Sequence, residues 1–194
     1  MGCHLEFNEY YQRQVSDVMG LLYRRGLVQV RGGNASIIDR ENKVIYISPS
    51  GVPRHLISSD DVAIMNMEGK AIVGSPSSEW RMHIAIYKEV EDINAVVHAH
   101  PPHLLALQKV EKKPEISSLT ETRLRVKCVA EVPALEPGTQ ELADAVASSL
   151  KGGCNAALLK GHGAVAVSAG SIYEALEVIE ALEDLARIEL LTSI

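Results

Sequence analysis

Aromatic residues are scarce in this sequence of 194 residues, which contains one Phe, one Trp and six Tyr. Of these, only Tyr173 lies beyond Tyr87. Because single-stranded nucleic acids are bound on clustered aromatic side chains, this scarcity argues against such a function. Hydrophobic residues make up 46% of the chain, so a sizeable core can form, and it must be aliphatic.

An excess of positive charge is also lacking, because 19 Lys and Arg residues face 25 Asp and Glu residues. The formal net charge of −6 excludes a general attraction to nucleic acid or to anionic lipid. No apolar run is long enough to span a membrane, and the first residues do not resemble a signal peptide. We therefore expect a cytoplasmic protein with no nucleic-acid or membrane partner.

Cysteines are few and odd in number. Cys3, Cys128 and Cys154 lie far apart in the sequence and form no CxxC pair. This pattern predicts reduced thiols in a cytosolic protein and not a disulfide framework.

Helical and strand-like patterns alternate along the whole chain, and no linker or repeat interrupts them. The predicted helices are 7–25, 79–89, 101–107, 139–150 and more than twenty residues after Ser171. The predicted strands are 35–38, 43–47, 62–67, 95–99, 126–129, 156–159 and 164–167, and 111–125 is expected to be polar surface. We interpret residues 1–194 as one α/β domain with three α/β/α layers and a mixed, mainly antiparallel central sheet.

The strongest chemical signal is the segment Val96-Val97-His98-Ala99-His100. Residues two apart on a strand project from the same face, so His98 and His100 present two imidazoles side by side. His162 lies between two glycines ahead of another strand and is the natural third ligand. Three neutral His ligands leave one position open, as a catalytic zinc requires. Ordinary surface or core histidines remain the alternative at this point.

Glu79 opens a predicted helix, where a carboxylate either complements the helix N-terminus or takes part in chemistry. His83 lies four residues on, on the same helix face. It is a ligand, a partner of Glu79 or an ordinary half-buried residue, and the last reading is favoured.

Small polar segments form a third signal. They expose backbone N–H groups and hydroxyls, which a phosphate group needs, although each one alone is typical of a plain turn. The segments are Gly32-Gly33-Asn34, Ser48-Pro49-Ser50-Gly51 and Ser77-Ser78.

Together these residues resemble the class II aldolase/adducin family over about residues 10–190. The matching segments, in family order, are Gly33-Asn34-Ala35-Ser36, Ile47-Ser48-Pro49-Ser50-Gly51, Pro76-Ser77-Ser78-Glu79-Trp80-Arg81-Met82-His83, Ala95-Val96-Val97-His98-Ala99-His100 and Leu159-Lys160-Gly161-His162-Gly163. The combination of Ser-Ser-Glu-Trp with the His-x-His pair is the most specific part of the resemblance.

The resemblance implies one Zn²⁺ per subunit, or another divalent ion. Its ligands would be His98, His100 and His162, with Glu79 as a fourth, displaceable ligand. The resemblance further implies a homotetramer with interfacial active sites. The implied phosphate site consists of Asn34, Ser50, Gly51, Ser77 and Ser78, with Arg31 and Gly33 as further candidates.

The implied reaction is the cleavage of a ketose 1-phosphate, such as L-fuculose 1-phosphate. The products are dihydroxyacetone phosphate and an aldehyde such as lactaldehyde, formed through a metal-stabilised enediolate whose proton Glu79 moves. The family also contains sugar-phosphate 4-epimerases, which usually carry Asp at the position of Glu79, a methylthioribulose-1-phosphate dehydratase and decarboxylases. A non-catalytic, adducin-like oligomerisation module is the alternative from another class.

Three features depart from the aldolases of this family. The segment 132–139 lacks the Tyr that assists at the aldehyde end. Glu136 is a candidate substitute there, although an ordinary surface-loop residue is the favoured interpretation. A C-terminal tail with another Tyr is missing. Arg31 and Gly161 stand where many relatives have a small polar residue and Asn, respectively. Glu6, Glu9 or Tyr10 from a neighbouring subunit are further candidates for the aldehyde end.

Overall fold

Eight strands form one mixed sheet in the computed structural model, which describes residues 7–192. The order across the sheet is β4-β3-β2-β1-β5-β8-β7-β6. Neighbouring strands are antiparallel, except for the parallel pair of β6 and β7. The strands are β1 (Asn34–Asp39), β2 (Val44–Ile47), β3 (Ala63–Asn66), β4 (Ala71–Val73), β5 (Ala95–Ala99), β6 (Val129–Val132), β7 (Ala156–Leu159) and β8 (Gly163–Ser168). The predicted mixed, mainly antiparallel sheet is confirmed.

Helices cover both faces of the sheet. They are α1 (Glu9–Arg24), α2 (Trp80–Glu89), α3 (Pro102–Lys109), α4 (Thr120–Arg125), α5 (Gln140–Leu150) and α6 (Ile172–Thr192). One core lies between the sheet and α1, α3 and α6, and a second lies between the sheet and α2 and α5. In β5, Val97 belongs to the first core and Val96 to the second, as the alternation of side chains along a strand requires. The predicted α/β/α layering is confirmed.

Two predicted elements differ from the structure. The strand expected at 126–129 runs from Val129 to Val132, because Val126 ends α4 with its N–H donated to the carbonyl of Thr122. The segment expected to be only polar surface therefore contains a short helix. Strand β4 was not predicted, since it has three residues and lies at the sheet edge with little buried apolar surface.

The prediction of reduced thiols is wrong for two of the three cysteines, because Cys128 and Cys154 form a disulfide. Parallel pairing sets Val129 opposite Ala156, which brings Cys128, one residue before β6, close to Cys154, two residues before β7. The two Cα atoms are 4.6 Å apart. The spacing of the cysteines in the sequence does not indicate this register. The cysteines therefore do not support the prediction of a reducing compartment. Cys3 and Glu6 lie outside the described residues.

Among residues 7–192, no helix combines the length and the apolar character that a membrane crossing requires.

Candidate active site

His98 and His100 lie at the end of β5, the strand near the middle of the sheet. His98 is fully buried and faces the α2 side, because it is two residues from Val96. His162 lies in the turn between β7 and β8. A Cβ atom at Gly163 would collide with the carbonyl oxygen of Ala99, so this glycine lets the turn approach β5 closely. Strand alternation and the glycine together bring the three histidines to one place.

The three imidazoles surround a common point. One ring nitrogen from each of His98, His100 and His162 lies within 4.8 Å of the other two. The Nε2 atoms of His98 and His100 are 3.1 Å apart. Glu79 completes the group, with its Oε2 3.2 Å from Nε2 of His98 and its Oε1 3.6 Å from Nε2 of His162.

Hydrogen bonds behind two of the rings fix which nitrogen faces this point. Nδ1 of His98 lies 3.0 Å from the carbonyl oxygen of Ala164, and Nδ1 of His100 lies 2.8 Å from Oε1 of Gln29. Each Nδ1–H therefore donates, which leaves the Nε2 lone pair free to bind a cation. Burial, together with the neighbouring histidines, lowers the pKa of His98 well below its usual value and also lowers the pKa of His100. Both rings are thus neutral, as metal ligands must be.

This donor set fits a divalent cation. Two Nε2 lone pairs at 3.1 Å repel each other unless a proton or a cation lies between them. Three neutral imidazoles with a carboxylate beside them suit zinc, and other divalent transition metals take the same ligands. His98, His100 and His162 are the residues that can hold such an ion, and Glu79 is within reach of it.

Glu79 is the N-cap of α2, so the helix begins one residue later than predicted, at Trp80. Its carboxylate makes no capping hydrogen bond to its own helix. It accepts instead from Nδ2 of Asn34 at 3.1 Å and faces His98. Its side chain therefore interacts with the histidine cluster. A residue that only complements the helix N-terminus would not do so.

His83 is fully buried, and the favoured reading as an ordinary half-buried residue is wrong. Its Nε2 lies 2.5 Å from Oδ1 of Asn34 and its Nδ1 lies 2.6 Å from Oγ of Ser36. Burial lowers the pKa of His83 to about 3, so the ring is neutral. Asn34 and Ser36 point towards α2 because they lie two residues apart on β1, with Asn34 opposite His98.

The three small polar segments meet beside the histidines. The N–H of Ser77 donates to the carbonyl of Ser48 at 3.1 Å, and the N–H of Ser50 donates to the carbonyl of Ser75 at 2.9 Å. Ser50, Gly51 and Ser78 are exposed, whereas Ser77 is buried. The side chain of Asn34 is also buried and is turned towards Glu79 and His83, so one amide N–H of this residue is left for a ligand. The structure thus brings these predicted residues together.

Arg54 was not predicted, although it links two of these segments. Its side chain is buried, and burial lowers its pKa. Within residues 7–192 it forms no salt bridge, and its five N–H groups all donate to main-chain carbonyls. The acceptors are Gly32 at 2.9 Å, Pro49 at 2.9 Å, Val52 at 3.3 Å, Arg31 at 2.9 Å and Gly33 at 2.9 Å. A Pro-Arg pair in a loop carries no sequence signal for this role.

Replacement of Arg54 by methionine is expected to lower the free energy of unfolding by about 3 kcal/mol or more, because buried carbonyls lose charged donors. Arg54→Lys should recover part of the loss, since an ammonium group has three donors and not five. Chemical denaturation of both variants measures the effect. Arg31→Met is the control, because the Arg31 side chain is exposed and only its carbonyl is used. Equal stability of Arg54→Met and Arg31→Met would contradict this role.

Three of the residues suggested for the aldehyde end lie within the described part of the chain, and all three are exposed. Glu136 is exposed in the segment after β6, which is tied to α2 by a hydrogen bond of 3.2 Å from Arg81 to the carbonyl of Gly138. Glu9 and Tyr10 are exposed at the start of α1. None of these three is hydrogen-bonded to Glu79 within the described residues.

The model of the class II aldolase and adducin N-terminal domain matches residues 13–190. The chain belongs to the class II aldolase and adducin family. It is 36% identical over 168 residues to an L-fuculose phosphate aldolase of Methanococcus maripaludis, covering 87% of this chain and 89% of that protein. It is 38% identical to a 5-deoxy-D-ribulose 1-phosphate aldolase of Bacillus thuringiensis serovar kurstaki, covering 84% and 76%.

A solved structure of an L-fuculose 1-phosphate aldolase has the same fold, with a TM-score of 0.85 and 29% identity over 99% of this chain and 90% of that one. The resemblance stated from the motifs is confirmed, and so is the prediction of an aldolase-type carbon–carbon lyase. Class II aldolases depend on a metal, which agrees with the cluster of His98, His100 and His162.

Proposed function

We propose that the protein is a zinc-dependent aldolase that cleaves a ketose 1-phosphate into dihydroxyacetone phosphate and an aldehyde. L-fuculose 1-phosphate, which gives lactaldehyde, and 5-deoxyribulose 1-phosphate are the first candidates, because the relatives carry the names of such substrates. The observation that carries this proposal is the position of the Glu79 carboxylate. It lies beside three convergent histidines and next to loops suited to a phosphate.

His98, His100 and His162 would hold the zinc ion, and a zinc ion there would supply a Lewis acid for negative charge that develops on substrate oxygen atoms. Another divalent ion would serve the same purpose. The chain's own residues bind the substrate, orient it and move its protons.

The phosphate group is proposed to bind among Ser50, Gly51, Ser77 and Ser78. The three serines offer hydroxyls, and Gly51 and Ser78 offer backbone N–H groups, since those of Ser50 and Ser77 already donate to carbonyls. The remaining amide N–H of Asn34 is a further donor, and Gly33 and Arg31 lie in the adjoining loop. The positive charge of Arg54 lies under these loops and favours a dianion there. A phosphate held in this way places the adjacent carbons of the substrate towards Glu79.

Glu79 is proposed to transfer the proton. When the bond between C3 and C4 breaks, its electron pair stays on the fragment that carries the phosphate. The C4 hydroxyl gives its proton to water as the aldehyde forms, and the Glu79 carboxylate takes up one proton from water. Glu79 then delivers a proton to C3, which completes dihydroxyacetone phosphate, and in the reverse direction it removes that proton. A side chain hydrogen-bonded to Asn34 and close to His98 is held in one position for this transfer.

We further propose that residues 1–194 form one catalytic domain, that the protein is a homotetramer with active sites between subunits, and that it is cytoplasmic. In such an assembly a neighbouring subunit would supply the group that handles the aldehyde.

The test is a coupled assay for dihydroxyacetone phosphate with zinc-loaded protein. L-fuculose 1-phosphate, ribulose 1-phosphate and their 5-deoxy analogues are offered in turn, and we expect turnover of at least one. L-ribulose 5-phosphate, with analysis for the C4 epimer, is included as a parallel sample. Formation of the epimer, with no dihydroxyacetone phosphate from any ketose 1-phosphate, would replace the aldolase proposal by a 4-epimerase.

A further inference from the structure

A buried row of hydrogen bonds leads from Ser36 through His83 and Asn34 to Glu79. The distances are 2.6 Å from Ser36 Oγ to His83 Nδ1, 2.5 Å from His83 Nε2 to Asn34 Oδ1 and 3.1 Å from Asn34 Nδ2 to Glu79 Oε2. All four residues are less than 10% exposed. The row exists because residues two apart on β1 face residues four apart at the start of α2.

The Glu79 carboxylate, at one end of the row, determines which group donates and which accepts in each of these hydrogen bonds. A carboxylate only accepts, so the amide of Asn34 must turn its NH₂ group to Glu79 and its oxygen to His83. Nε2 of His83 therefore carries the proton. A neutral imidazole has one N–H, so Nδ1 accepts, and the hydroxyl of Ser36 donates to it.

The opposite orientation of the Asn34 amide is unfavourable next to Glu79. If Asn34 were turned by 180°, its oxygen would face the carboxylate of Glu79 and repel it. Protonation of His83 does not disturb the arrangement near neutral pH, because burial lowers the pKa of this residue to about 3. With the proton of His83 on Nε2, the Nδ1 lone pair needs a donor in this buried place, and the hydroxyl of Ser36 supplies it.

We propose that His83 and Ser36 are positioning residues for Glu79. They hold the amide of Asn34 in the one orientation that donates to the carboxylate, and so keep that carboxylate against the histidine cluster. Neither residue touches the substrate. The effect on turnover rests on the proposed function, whereas the tautomer and the amide orientation do not.

Tyr87 offers a matched control, because its hydroxyl packs on Ser36 from outside the row, 2.7 Å from Oγ and 3.0 Å from the carbonyl oxygen. Ser36→Ala and Tyr87→Phe each remove one hydroxyl from the same buried place. Only Ser36→Ala takes away the donor to His83. A purely structural role predicts similar losses of activity from the two variants.

We expect Ser36→Ala to lower kcat by about tenfold or more, the usual effect of losing a partner behind a site residue. KM should stay within about twofold of the wild type, and one metal ion per chain should remain bound, since neither the phosphate loops nor the histidine cluster is altered. Tyr87→Phe should keep kcat within about twofold, because the hydroxyl of Ser36 still donates to His83. Equal kcat values for the two variants would overturn the proposal.

A second pair of variants tests whether the N–H donor at Nε2 of His83 is required. Glutamine at position 83 keeps an N–H near the place of Nε2, whereas methionine fills the space without a donor. His83→Gln should therefore retain several times the kcat of His83→Met, with the same metal content. No difference between them, at matched melting temperatures, would also overturn the proposal.

The tautomer is measured without any activity. Nitrogen-15 NMR of histidine-labelled wild type, with His83→Gln used for assignment, should show His83 as a neutral ring protonated on Nε2 near neutral pH. A ring protonated on Nδ1, or on both nitrogens, would contradict the proposed direction even if every substrate failed. An active wild type with an unaffected Ser36→Ala would leave the aldolase proposal intact and remove this one.

Discussion

Replacement of Glu79 by glutamine is expected to lower kcat by about a thousandfold while one metal ion per chain stays bound. Glutamine matches glutamate in size, and its amide oxygen can still accept the hydrogen bond from Asn34. The amide cannot accept or deliver a proton, and the loss of such a group costs on the order of 10² to 10⁴ in rate. His98, His100 and His162 are unchanged, so the metal site is expected to persist.

Glu89→Gln is the matched control for this experiment. Glu89 is the last residue of the same helix and pairs with Lys151 at 2.9 Å, not with the histidine cluster. Steady-state kinetics, metal analysis and thermal melting are recorded for both variants. Full activity of Glu79→Gln would show that Glu79 merely begins the helix, and loss of the metal would mean that its carboxylate is needed as a ligand.

Removal of the metal is the second change with a large expected effect. Treatment with a chelator, or the variant His100→Ala, should abolish turnover. A Lewis acid contributes several kcal/mol to such a reaction, and about 4 kcal/mol corresponds to roughly a thousandfold in rate. Addition of Zn²⁺ should restore the chelated wild type but not the variant, because one of three convergent imidazoles is then gone.

His55→Ala is the matched control, because it also removes one histidine from the chain. His55 is exposed and stacks on Tyr23, with ring centroids 4.9 Å apart, outside the histidine cluster. Elemental analysis should find about one ion per chain in this variant and none in His100→Ala. Undiminished turnover by protein shown to be free of metal would rule out the proposed chemistry, whatever the histidines do.

The sequence predicts the parts of the site that depend on short-range rules. Alternation along a strand places His98 and His100 on one face, and the glycines around His162 indicate a turn that can approach another strand. The same alternation, with one face covered by α2, explains why Glu79 meets His98. The mixed sheet and its helical layers follow equally from local patterns.

Other features depend on which strands pair and in which register. The disulfide between Cys128 and Cys154 exists because β6 lies parallel to β7, and nothing near either cysteine indicates that pairing. The buried place of His83 likewise requires β1 to lie next to β5 under α2. Composition and spacing contain no information on such contacts, so the predictions that failed are those that needed tertiary structure.

The main-chain hydrogen bonds of Arg54 have a consequence for the energetics of substrate binding. They fasten the loop before β1 to the loop after β2. Loops already fixed in this way lose little conformational entropy when a phosphate arrives. More of the intrinsic binding energy of the phosphate group is then available to hold the distant reacting carbons in place, and a substrate without the phosphate forfeits rate as well as affinity.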